Sequence, residues 1–184
     1  MKNRGHGQAK VLNPSEISRL FLELKKKPRD AALFAICLFT GCRISEALQL
    51  ETTDFIENHI IFRKSTTKGK LKTRTVPIHP GLKPFLEVYQ PKKPGLMFPA
   101  HWGENPIMSR HSADRILRRS CRRAGIVGVS THSFRRTALT YMNRSGVPLR
   151  TIQELSGHKD LGSLQKYLEV DPEELISAIG LLPF

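Results

Sequence analysis

Acidic residues are scarce in this chain: 16 Asp and Glu stand against 30 Lys and Arg, a formal net charge of +14. That excludes a surface built for cationic partners and leaves one suited to a polyanion. Charge alone does not separate nucleic acid from a ribosome-bound or cell-surface role, or from plain solubility. Cysteine is scarce too. Cys37, Cys42 and Cys121 are odd in number and in no ligand-like spacing, which argues against a disulfide framework or a zinc site. Cys37 lies in an apolar run and reads as a small core residue. The longest apolar run, Ala31 to Phe39, is far short of a membrane span. No hydrophobic region follows the basic start Met1–Gly7, so no signal peptide is read. Internal repeats, low-complexity segments and the Walker, Rossmann and HExxH patterns are missing, and nothing calls for a nucleotide, a cofactor or a metal. A reducing, DNA-containing compartment fits these absences best.

What remains is a chain of 184 residues, enough for one sizeable core and too few for two ordinary domains with linkers. Residues 1–10 are polar and basic and are expected to form a flexible tail; residues 11–184 are expected to form the domain. Asn13-Pro14-Ser15-Glu16 has the form of a helix start, with Asn13 as cap and Pro14 in the first turn. Ile17, Leu20, Phe21 and Leu24 continue it as an apolar stripe. A second, buried helix is expected over Ala31–Thr40, broken by Gly41, and a short one from Arg43 to about Gln49.

Residues 54–78 change character. Phe55-Ile56, His59–Phe62 and Thr73–Ile78 are rich in β-branched and aromatic residues and predict a three-stranded antiparallel sheet with a basic turn before its last strand. A helix near Leu82–Tyr89 and a Pro/Gly-rich loop from Pro91 to Pro106 follow. Helices are predicted over 111–124, 132–144, 148–156, 161–168 and 171–180. The fold class is therefore mainly α with a small antiparallel β-sheet.

Three segments carry chemistry. In Thr40-Gly41-Cys42-Arg43-Ile44-Ser45-Glu46, Arg43 follows a glycine break and is placed at a helix start. A guanidinium stays charged and grips two phosphate oxygens at once, which lysine does not. Glu46, three residues on, supports the arginine rather than meeting an anion itself. In His132-Ser133-Phe134-Arg135, His132 and Arg135 share one face near the positive end of a helix. In Gly157-His158-Lys159-Asp160-Leu161-Gly162-Ser163-Leu164-Gln165-Lys166-Tyr167, a histidine after a helix end precedes a tyrosine by nine residues. Read singly, each segment is an ordinary ion pair, a solvated basic face, a capping histidine or an edge tyrosine.

Together these segments resemble, in order and spacing, the catalytic domain of tyrosine recombinases, the phage-integrase and Xer-type enzymes, from about Asn13 to Val170. The resemblance implies that Arg43, His132, Arg135 and His158 surround a DNA phosphate while Tyr167 attacks it, giving a 3′-phosphotyrosyl link and a free 5′-hydroxyl without metal or ATP. It implies a lysine in the turn between sheet strands as proton donor. Lys68 is the choice here, with Lys70 and Lys64 open because the turn is one residue longer than usual. Related chains often carry His where Arg136 stands, and two threonines where this one has Ser163 and Leu164, so Leu164 is expected to loosen the tyrosine's support. Tyr89 and Tyr141 lack the upstream histidine and are read as structural.

Further contacts to double-stranded DNA are expected from Lys64, Lys70, Lys72 and Arg74 of the hairpin. Arg110, Arg115, Arg118, Arg119, Arg122 and Arg123, on and beside one predicted helix, are expected to position the backbone. Trp102 is read as a loop anchor. The apolar segment after Tyr167, with Leu175, Ile176, Ile179, Leu181, Leu182 and Phe184, either docks on a neighbouring copy or folds back on its own domain. Related recombinases carry a helical DNA-binding domain ahead of this one, so the chain is expected to be an isolated catalytic fragment or a natural short form, binding weakly and salt-sensitively. The expected location is the cytoplasm, on the nucleoid, for a bacterial or phage-encoded protein. Two rival readings are a DNA-binding regulator that keeps the fold without turnover and a type IB topoisomerase.

Overall fold

Asn13 starts the first helix as its sequence predicts. Its side chain accepts from the Glu16 N–H at 2.9 Å and Glu16 accepts from the Asn13 N–H at 3.2 Å, a reciprocal cap for α1, Pro14–Leu24. The computed structural model describes residues 8–66, 72–100, 106–170 and 172–183. Most of the expected basic tail and Trp102 lie outside these described residues. Just past the expected tail, Leu12 is fully buried, and its N–H donates to Thr137 Oγ1 at 2.9 Å.

Helix α2, Pro28–Thr40, begins three residues before the expected Ala31, because Pro28 occupies its first turn. It is apolar on nearly every side and runs through the core, packed on α1, on α4 and on α6. Gly41 ends it at φ 62°, the left-handed conformation a glycine adopts without Cβ strain. The short α3, Ile44–Ala47, follows.

The sheet has the predicted order: β1 (Phe55–Ile56) pairs antiparallel with β2 (His59–Phe62), and β2 with β3 (Arg74–Pro77). In β3 the side chains of Arg74 and Val76 are buried while Thr75 and Pro77 face solvent. The remaining helices are α4 (Lys83–Val88), α5 (Arg110–Ala124), α6 (Thr131–Arg144), α7 (Leu149–Ser156), α8 (Leu161–Gln165) and α9 (Pro172–Gly180).

Two clusters hold these elements. The larger centres on α1, α2 and the sheet, with Phe34 and Phe134 stacked at 5.2 Å between centroids. A smaller one joins Leu139, Ile152 and Leu164, and Tyr167 and Leu168 pack against it. Leu164 is fully buried there, which corrects the expectation that it loosens the tyrosine: burying that isobutyl group anchors α8 on α6 and α7. Helix α8 stops at Gln165, so Tyr167 sits in the turn after it rather than on a helix reaching 168.

Helix α9 buries none of its apolar side chains. Leu175, Ile176, Ile179 and Leu181 are 60 to 84% exposed, so the described segment does not fold its apolar face back onto the domain. No helix among the described residues is long and apolar enough to cross a membrane.

Candidate active site

Arg43 sits immediately before α3, where the glycine break has turned the chain out of α2. Glu46 fixes it twice, accepting from the Arg43 backbone N–H at 2.9 Å and from Nη1 at 3.0 Å. The same carboxylate accepts from Arg74 Nη2 at 2.8 Å, with no exposed surface of its own. Burial pushes the Glu46 carboxyl up, but Arg74 and Arg43 overcome this and hold it below its ordinary range. Glu46 is thus a buried anion that aims Arg43, as the sequence suggested.

Arg74 itself corrects an expectation. Expected as a DNA contact, it is 6% exposed, is bonded to Glu46 and stacks over the Phe62 ring at 4.3 Å. Its place with Val76 on the inward face of β3 is the reason. Gly157 is required beside it: at φ 67°, a Cβ there would lie 3.0 Å from Arg74 Nη1.

Arg135 is the most enclosed of the cations. It has no exposed surface; Nη1 donates to the Gly41 carbonyl at 2.7 Å and Nη2 to the Ser156 carbonyl at 3.0 Å. Both acceptors are buried carbonyls at helix ends, the cap of α2 and the last residue of α7, so one side chain ties together two elements separated by more than a hundred positions. Burial, then the Arg43 charge, holds its pKa down to about 10.

His158 follows the left-handed Gly157 that ends α7 and is buried against Arg135. Arg135 Nη2 lies 3.0 Å from Nε2 and 3.2 Å from Nδ1. Such near-equal distances place the guanidinium over the ring face rather than in line with either lone pair. Ser156 Oγ is 2.7 Å from Nδ1 and so holds the ring's orientation. Burial, Arg135 and Arg43 push the imidazole down to about 3, so it is neutral at pH 7. His132, at the start of α6, is exposed to the cleft, and burial of its ring with Arg135, Arg43 and Arg110 lowers its pKa as well.

Tyr167 closes the cluster. Its ring lies 5.0 Å from the His158 ring and 5.2 Å from the Arg135 guanidinium carbon. Its backbone is pinned by the N–H to Leu164 O at 2.8 Å and by Thr140 Oγ1, which donates to its carbonyl at 3.3 Å.

Arg43, His132, His158 and Tyr167 line one cleft of about 820 Å³, with Arg135 beneath its floor. Arg110 and Arg118, expected as DNA contacts, also line it. Thr66 stands at its rim, and the segment that begins beyond it carries Lys68 and Lys70, which lie outside the described residues. Lys64 and Lys72 are exposed, and Lys72 is paired with Glu154. Arg115, Arg119 and Arg122 are exposed along α5 without lining the cleft. Arg123 turns the other way, to Glu23 of α1 at 2.8 Å. Sequence reading passed over Ser156 and the Gly41 carbonyl. Their only signal was position, each at a helix end beside a candidate residue.

A family model described as the phage integrase family matches residues 10–174. A tyrosine recombinase of Pseudothermotoga lettingae is 30% identical over 172 residues, 93% of this chain and 60% of the relative. The crystal structure of XerA recombinase has a TM-score of 0.80 at 21% identity, covering 100% of this chain and 68% of that one, a likeness of fold. The post-cleavage complex of XerH site-specific recombinase bound to palindromic difH substrate has a TM-score of 0.77 at 25% identity. It covers 98% of this chain and 55% of that one. The chain spans about 60% of the length of the Pseudothermotoga relative.

Proposed function

The chain belongs to the phage integrase family, and on that premise we propose that it cleaves and rejoins double-stranded DNA in site-specific recombination. The observation that carries this reading is the convergence of Arg43, His132 and Arg135 of α6, His158 and Tyr167, from four separate parts of the chain, on one electropositive cleft. The structure reported for XerH, with its difH substrate, supports DNA as the partner.

A phosphodiester entering the cleft meets Arg43 at its side and Arg135 at its base. Arg135 has no exposed surface beneath the phenol, so the ring lifts aside before a phosphate oxygen reaches that guanidinium. The Tyr167 oxygen then attacks phosphorus. The P–O bond to the 5′ side breaks, a 3′-phosphotyrosyl bond forms, and the departing oxygen takes a proton from Lys68 or its neighbours Lys70 and Lys64. The phenol's proton leaves by way of His132, whose lowered pKa keeps the ring neutral at pH 7 with a free lone pair. Charge that develops on the phosphate oxygens is met by the fixed guanidinium groups. His158, neutral, donates a hydrogen bond from Nε2 when Ser156 Oγ–H donates to Nδ1. The phosphotyrosyl link keeps the energy of the broken bond, so attack by another 5′-hydroxyl reseals DNA without ATP.

Arg110, Arg115, Arg118, Arg119 and Arg122 position the DNA backbone beside the cleft. The exposed apolar face of α9 supports self-association on DNA through the C-terminal segment. The chain acts where DNA is held, in the cytoplasm and on the nucleoid.

The test is covalent trapping on a nicked duplex, in which the short 5′-fragment diffuses away and resealing stops. A shifted protein–DNA band that survives denaturant is expected with the native chain and absent with Tyr167→Phe. A native chain that binds DNA and forms no such band on any nicked duplex overturns the reading and leaves a DNA-binding regulator.

A further inference from the structure

Helix α6 carries more than His132 and Arg135. One turn past its start it is also the junction between the segment that enters the domain and the segment that leaves Tyr167. Arg136 stands at that junction. Its Nη1 donates to the Ala9 carbonyl at 2.6 Å, and its Nη2 lies 3.7 Å from Glu169 Oε2. The neighbouring positions repeat the pattern. Thr137 Oγ1 accepts from the Leu12 N–H at 2.9 Å, and Thr140, one turn on from Arg136, donates to the Tyr167 carbonyl at 3.3 Å. The Arg136 side chain is 12% exposed, against 44% for Glu169. Its Nε is buried with no acceptor among the described residues, so the group is held only at its forked end.

We infer that Arg136 is a positioning residue for Tyr167, a fork that bridges the chain's entry at Ala9 to Glu169, two residues past the tyrosine. The inference rests on the reading of Tyr167 as the nucleophile. Its physical basis is the reach and shape of the group. One planar guanidinium donates to Ala9 through one nitrogen while its other nitrogen lies in ion-pair range of Glu169, a span that a point-charge ammonium does not cover. The turn that carries Tyr167 lies past the end of α8 and is held by backbone bonds at Leu164, Gln165 and Thr140 and by packing of Tyr167 and Leu168 on the smaller cluster; the Arg136 fork adds a polar tie on its far side. A proposed nucleophile that covers Arg135 at rest and must lift to admit DNA sits on a segment whose freedom Arg136 sets. Arg136 thereby joins the segment at Ala9 to the one that carries the tyrosine, beside the Thr137 and Thr140 contacts of the same helix.

The test uses the full chain labelled with 3-fluorotyrosine. Tyr89, Tyr141 and Tyr167 are its three tyrosines, so the fluorine spectrum has three lines, assigned by single Tyr→Phe substitutions. Arg136→Gln and Glu169→Gln are each expected to shift or broaden the Tyr167 line and leave the Tyr89 line in place. On nicked DNA at saturating concentration, adduct formation is expected to slow roughly five- to tenfold in both, with Kd for the same DNA within about twofold of native. Arg136→Lys keeps the charge but not the fork, and is expected to recover the fold without recovering the rate. Native Tyr167 line and native rate in a folded Arg136→Gln chain overturn the inference, as does full recovery by lysine. If Arg136→Gln fails to fold, Glu169→Gln, whose side chain is half exposed, decides in the same way. A native chain that forms no adduct sinks the enzymatic reading instead, and the fluorine lines then decide the positioning alone.

Discussion

The Tyr167 ring lies over the Arg135 guanidinium at 5.2 Å, and Arg135 has no solvent-exposed surface beneath it. Arg135 also satisfies the end carbonyls at Gly41 and Ser156, so it serves the fold and the cleft together. Arg135→Lys reaches at most one of those carbonyls with comparable geometry, and a buried carbonyl left unpaired costs about 1–3 kcal/mol. The variant is expected to lose about 2–4 kcal/mol, roughly 10 °C in Tm by thermal unfolding, and to lower adduct formation about a hundredfold or more. A chain of native stability would contradict the tethering of α2 to α7.

Glu46 and Arg74 pair at 2.8 Å with 0% and 5% of their side chains exposed. Removing one member of such a pair strands a buried charge, at about 3–5 kcal/mol, whereas replacing both with apolar groups of similar size is far milder. Glu46→Leu is therefore expected to be markedly less stable than the double variant Glu46→Leu with Arg74→Met. In both, Arg43 loses its carboxylate, so both are expected to fall in adduct formation by about tenfold. Chemical denaturation of the two variants checks the order; a double variant no better than the single one would contradict it.

His158 gives the protein a pH dependence of definite sign. Above pH 6.5 the imidazole is neutral in both folded and unfolded chains and contributes no slope. Below 6.5 the unfolded chain binds a proton that the folded one, with its imidazole pKa near 3, refuses. Stability is thus full above pH 6.5 and is lost as pH falls toward 3, at up to about 1.4 kcal/mol per pH unit for one proton. His132, also lowered, contributes with the same sign below 6.5. Unfolding free energies measured from pH 7.5 to 4.5 are expected to decline in the native chain and to decline less steeply in His158→Asn. Equal slopes would show that His158 titrates freely.

The arginines of α5 divide by direction. Arg118 lines the cleft, although it is paired with Asp114 on the surface at 2.7 Å, while Arg123 is bound to Glu23 on α1. Each phosphate contact removed lowers the slope of log K against log salt by about 0.9. Arg118→Ala is expected to lower that slope by about one unit, and Arg123→Ala to leave it unchanged. Binding titrations across salt concentrations check this, and a loss of slope with Arg123→Ala would put the DNA on the wrong face.

Elements were readable where pattern is local. The Asn13 cap, the three strands and the Gly41 and Gly157 helix ends stand in short stretches of sequence and were all located there. Contacts between distant positions were not. Arg74 meets Glu46 across 28 positions, and only its place two residues before Val76, on the same face of β3, signals an inward side chain. Leu164 departs from the family pattern, and its burial beside Leu139 and Ile152 makes it an anchor. The anchors at Ser156 and Gly41 act through backbone carbonyls, which carry no residue type to read. The candidate cluster was legible as a set, but its depth was not. Nothing in the sequence distinguished the enclosed Arg135 from the cleft-facing Arg43.

Mass spectrometry of the protease-digested adduct tests the central claim most directly, by finding which peptide carries nucleotide after denaturation. A single modified residue, Tyr167, joined to the 3′-phosphate of the cleaved strand is the predicted result. Nucleotide on Tyr89 or Tyr141, or a 5′-phosphate linkage, would contradict it.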